Sequence, residues 1–164
     1  MSWFKKAPAL PSELAKAIAS QGRLLDWARH STGLLAVTKS SLVNVSGNEI
    51  TVTPWTDSLQ AKWDPPELTV IFQRQQDEKP AAKSWTLDET SQLPRAVWDR
   101  VTSAVVVDRV FELPNAGRVR FVARKDEKGS YWSVIADDQG SSQSAIAQEE
   151  IAMALAELRS TFGI

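Results

Sequence analysis

"GRVRFVARK", residues 117–125, holds four positive charges and one aromatic ring in nine residues. If it lays nucleic acid on its face, the chain is a nucleic-acid module; if its side chains alternate between core and water, it is ordinary sheet. Successive side chains of a strand point to opposite faces, so Val119, Phe121 and Ala123 face one way and Arg118, Arg120, Val122 and Arg124 the other. A solvated outer face accounts for the arginines without any ligand. The RNA-recognition pattern K/R-G-F/Y-G/A-F-V-x-F/Y stacks bases on its aromatic positions. Aligned on Phe121-Val122, this segment has Val119 and Arg124 at the other two aromatic positions, so the stacking platform is missing. The segment is sheet.

Its neighbours extend the pattern. Strands are expected at 104–112, 118–125 and 131–137, joined by the glycine-containing, hairpin-sized connections "LPNAG" and "DEKG". Before them, 93–101 has helical spacing, with Pro94 in the first turn and Leu93, Val97, Trp98 and Val101 as the expected buried face. After them, Ala147, Ile151, Ala154, Leu155, Leu158 and Phe162 form one apolar stripe on a helix over 144–162, ended by Gly163. Helix, three strands, helix is also the order of a double-stranded-RNA-binding domain, which offers lysines to phosphate at the start of its last helix. Here that helix starts Ser-Ala-Ile-Ala-Gln-Glu-Glu, and Glu149 and Glu150 oppose phosphate. Residues 109–125 carry five positive charges and one negative, whereas 126–164 carry two positive and seven negative. Segments of opposite sign so close together are expected to face each other rather than a polyanion.

The first half changes period. Pro11 to Gln21 suits a short helix with Leu10, Leu14, Ala17 and Ile18 on one face and Gly22 as its stop. Short apolar runs follow, from "RLLDWAR" to "ELTVIFQ", broken at Ser31-Thr32-Gly33, Gly47-Asn48 and Asp64-Pro65-Pro66 as in an antiparallel meander. Gly47-Asn48 is the clearest hairpin signal, because a two-residue turn demands positive φ. "RQQDEKPAAKS", residues 74–84, is polar and is expected to be a mobile loop, followed by a short strand at 84–87.

Composition bounds the chemistry. The 164 residues include no cysteine and one histidine, His30, so thiolate and imidazole metal clusters are excluded. A net charge of −1 provides no global field for nucleic acid or anionic lipid. The first residues lack a signal-peptide core and no long apolar run occurs, so a cytoplasmic protein is expected. Residues 1–9 are expected to be a flexible N-terminus and 10–164 a single domain; Trp3, Phe4, Lys5 and Lys6 could at most make a weak interfacial contact.

Seven tryptophans are many for this length. They either fill the interior or line a groove for a peptide or small apolar ligand, and Trp55 and Trp63, flanking a loop beside the proline turn, are the groove candidates. Asp137-Asp138 sits where a turn attracts aspartate, and His30 has no orienting carboxylate fixed beside it. No phosphate-cradling glycine loop, metal-spaced histidines or nucleophile elbow occurs, and no cofactor is implied.

Residues 31–72 carry Gly33, Leu35, Thr38 and Leu42 in the spacing G-x-L-x-x-T-x-x-x-L, then Trp55 and, at a shifted spacing, Leu59. This resembles the opening of bacterial pleckstrin-homology-like and GRAM-like domains. The resemblance implies a bent, partly open β-barrel plugged by a helix, and a binding or scaffold role. It does not extend to inositol-phosphate recognition, since Arg23 and Arg29 lack the basic signature of the first hairpin.

The expected fold is therefore α+β, mainly antiparallel β as a meander or PH-like barrel, with a short N-terminal helix, a middle helix and a C-terminal amphipathic helix. The expected role is a non-catalytic interaction module for a protein or peptide. A nucleic-acid binder using Arg118, Arg120 and Arg124 is the alternative, and an enzyme comes third.

Overall fold

The computed structural model describes residues 10–74, 79–137 and 141–164. Segment 1–9, with Trp3, Phe4, Lys5 and Lys6, lies outside the described residues, as does 75–78 within the polar stretch. The fold is α+β and mainly antiparallel: the described residues form three α-helices and ten strands, the strands in three open sheets. Within the span 10–164, contacts group the residues into two compact units. The first holds the described residues up to Trp55, Ala61–Thr69 and Ser84–Arg100; the second holds Thr56–Gln60, Val70–Lys83 and Val101–Ile164.

In the first unit, helix α1 (Ser12–Ile18) is followed by strands β1 (Leu24–His30), β2 (Gly33–Thr38), β3 (Ser41–Ser46) and β4 (Glu49–Pro54), paired in chain order. Leu14 and Ile18, one helical turn apart, bury against Leu34, Ala36, Val43 and Val45, the alternate positions of β2 and β3 that share a face. Thr38 closes the β2–β3 turn: its Oγ accepts from the Ser41 N–H and donates to the Ser41 carbonyl, both at 3.0 Å. Across the β3–β4 turn Val45 stands opposite Ile50 and Val43 opposite Val52, with Gly47 at φ +59°, as the two-residue turn requires.

The third sheet has β6 (Glu67–Phe72) at its centre, flanked by β5 (Ser58–Asp64) and β7 (Ala81–Thr86). Strand β7 starts inside the stretch expected to be loop. All its side chains except the half-buried Trp85 are exposed, so it shows none of the core-facing alternation by which strands are recognised. Helix α2 (Leu93–Ala104) buries Leu93, Val97, Val101 and Ala104.

The second unit contains the hairpin-connected strands β8 (Val105–Leu113), β9 (Gly117–Asp126) and β10 (Gly129–Ala136), with β9 in the middle. Helix α3 (Ala145–Phe162) covers one face, sealing Ala147, Ile151, Leu155 and Leu158 against Val107, Val119, Phe121, Ala123 and Trp132. The Ser144 side chain accepts from the Ala147 N–H at 3.1 Å and starts the helix; Gly163, left-handed at φ 69°, ends it by donating to the Arg159 carbonyl. Glu150 does not face solvent freely. It accepts from the Asn115 and Ala116 backbone N–H groups at 2.9 and 3.2 Å and from Asn115 Nδ2 at 2.8 Å, tying the helix to the β8–β9 turn.

Candidate functional site

The expected basic face of β9 divides along its length. Arg118 is exposed and lies 3.6 Å from Asp137. Arg120 grips Asp108 of β8 with two hydrogen bonds, Nε to Oδ1 at 2.9 Å and Nη2 to Oδ2 at 2.7 Å. That fork lowers the Asp108 pKa and raises that of Arg120, in each case through the hydrogen bond first. Both arginines thus meet carboxylates, and the exposed end of the face alternates in sign.

Arg124 departs from the expectation of a solvated face: only 2% of it is accessible. Its Nη1 donates to the Gln73 carbonyl at 3.4 Å and its Nη2 to Ser133 Oγ, while its buried Nε has no hydrogen-bond partner among the described residues. Desolvation pushes its pKa down to about 10, partly offset by the charge of Asp57. Strand parity correctly puts Arg124 on the same face as Arg118. Parity is silent on where along that face the covering chain begins.

The tryptophan candidates also separate. Trp55 is core: it is 4% exposed and its indole N–H donates to the Thr38 carbonyl at 2.9 Å. Trp63 is half-buried on β5 and lines a groove of about 230 Å³ with Ala61, Lys62 and Leu68 of the β5–β6 hairpin and Pro94, Arg95 and Trp98 of α2. Trp98, expected on the buried face of α2, is 56% exposed. The reason is angular. At about 100° per residue the buried set of α2 clusters tightly, and Trp98 lies roughly 100° off its centre. That offset is readable from sequence once the stripe is drawn on Leu93, Val97, Val101 and Ala104.

His30 is engaged locally. Its Nε2 meets Asn44 Oδ1 at 2.7 Å and its Nδ1 accepts from the Thr32 N–H at 3.2 Å. Among the described residues, no three His, Asp or Glu side chains gather into a metal-sized cluster, and no helix is long and apolar enough to cross a membrane. Asp137 is the ion-pair partner of Arg118, and Asp138 lies outside the described residues. No protein-family model, curated protein or solved structure matches the chain.

Proposed function

We propose that this chain is a non-catalytic interaction module that takes a segment of a protein partner into the groove between Trp63 and Trp98. The observation carrying this reading is Trp98: a large indole more than half exposed, held on a helix and lining the same groove as Trp63. Rigid aromatic anchors at exposed positions are the residues that dominate protein interfaces. Size favours a side chain of a larger partner over a free small molecule. The groove holds about 230 Å³, whereas pockets that enclose a small ligand hold roughly 300–1,000 Å³.

A displayed library of short random peptides, selected on the intact chain, tests this. Enriched peptides are expected to lose about 30-fold or more in affinity on Trp98→Ala and to keep it on Met153→Ala, an exposed apolar position on α3. Peptides that bind Trp98→Ala as tightly as the wild type would overturn the proposal.

A further inference from the structure

We infer that the β1–β2 turn is a proton-sensitive device, held closed by neutral His30 and released when the ring gains a second proton. The hydrogen bonds fix which ring nitrogen carries the proton. The Thr32 backbone N–H lies 3.2 Å from Nδ1, and a backbone N–H can only donate, so Nδ1 is the bare nitrogen of the neutral ring. The proton therefore sits on Nε2, which donates to Asn44 Oδ1 at 2.7 Å. Asn44 is oriented for this role, since its Nδ2 donates to Ser46 Oγ at 3.4 Å and leaves the amide oxygen to the ring. His30 is on β1 and Asn44 on β3, so the ring crosses β2, where its register partner is Gly33, a residue with no side chain in the way.

A second proton turns Nδ1 from acceptor to donor and sets it against the Thr32 N–H. The Thr32 hydroxyl, 3.3 Å from Nδ1, can rotate to offer the charged ring a lone pair, but the amide cannot reverse its role. The protonated ring thus keeps Asn44, moves its second bond to the hydroxyl and gives up the backbone bond that closes the turn. Imidazole is the ordinary side chain that changes charge between about pH 5 and 8, so the turn responds in that range. The register places two carboxylates on the ring's face of the sheet: Asp26, four residues back along β1, and Glu49 of β4, opposite Ser46. Both favour the charged ring, while Arg29 alternates to the face covered by α1. Among the described residues neither carboxylate pairs with the ring, so neither replaces the turn bond that protonation removes. Ser31, Thr32, Asn44 and Ser46 are uncharged.

His30 is the chain's single histidine, so nitrogen NMR of the isotopically labelled intact chain reads its ring without ambiguity. While neutral, the ring is expected as the Nε2–H tautomer alone. As it protonates, hydrogen-exchange protection of the Thr32 amide, corrected for the intrinsic pH dependence of exchange, should fall about 2- to 10-fold, the range one hydrogen bond supplies. The variant His30→Asn is the control. An asparagine there still offers an oxygen to the N–H two residues on, but carries no titrating group. Thr32 protection should persist in this variant and stay level across the same pH range. A neutral ring that is Nδ1–H, or a mixture of tautomers, would overturn the inference. So would Thr32 protection that ignores ring protonation, or a pH response that survives His30→Asn.

Discussion

The carbonyl oxygen of Val45 lies 1.8 Å from the point where a Cβ on Gly33 would stand. No side chain fits there, and the obstacle is backbone of the neighbouring strand rather than a flexible side-chain tip. Gly33→Ala must therefore push β2 away from β3 and is expected to cost ~3 kcal/mol or to abolish a cooperative melt. Gly47 is the opposite case: among the described residues nothing lies within 4 Å of an added Cβ, but φ is +59°. Its cost is conformational, so Gly47→Val should lose roughly 1–3 kcal/mol and Gly47→Asn much less, because asparagine tolerates left-handed backbone. Urea melts of the three variants check this; a tolerated Gly33→Ala would show that β2 and β3 are not so closely apposed.

The Asp108–Arg120 fork predicts a pH dependence of definite sign. Asp108 has a folded pKa below its ordinary value of 3.8. Its contribution is therefore fully present above that value and is lost as pH falls through the folded one. Both side chains are partly exposed, at 42% and 33%, so solvent screening keeps the pair to about 0.5–1 kcal/mol. Asp108→Asn should destabilise by that amount at neutral pH. The gap to wild type should close as pH drops below 3.8, and narrow in high salt. A gap that widens in acid would have the wrong sign.

Arg124 predicts a change that removes charge without loss. Its folded pKa of about 10, well below that of a free guanidinium, means the fold disfavours the charged form at every lower pH. Above about 10 the unfolded chain binds more protons, so the cost is relieved as pH rises. At neutral pH, Arg124→Met combined with Ser133→Ala removes the buried cation and the hydroxyl it would orphan. This pair is expected to be as stable as wild type or more so. Arg124→Ala alone leaves a cavity and an unpaired Ser133, and should cost ~2–4 kcal/mol. Loss of more than ~2 kcal/mol in the double variant would mean the guanidinium stabilises the fold after all.

Periodicity carried most of the fold into view. The α3 stripe, the β3–β4 register around Gly47 and the alternation of β9 are local patterns, and local geometry settles them. What periodicity could not convey is coverage by distant chain. Arg118 and Arg124 share a face, yet the Arg118 side chain is 60% exposed and Arg124 is sealed near Gln73. Trp55 and Trp63 look alike in sequence, but only Trp63 lines the groove, because the Thr38 carbonyl captures the indole of Trp55. Strand β7 left no pattern because neither of its faces is buried along most of its length.

Glu150 also decides where this chain tolerates insertion. One carboxylate reads two successive backbone N–H groups and a side-chain amide across 34 and 35 residues of sequence. An added residue at 114–116 would move those donors out of reach and uncouple the hairpin tip from the helix. The Gly47-Asn48 turn has an unobstructed tip, since nothing among the described residues approaches the place of a Gly47 Cβ. An epitope or a fluorophore-bearing loop grafted there starts from an open tip, which makes that turn a handle by which this protein can be labelled or immobilised.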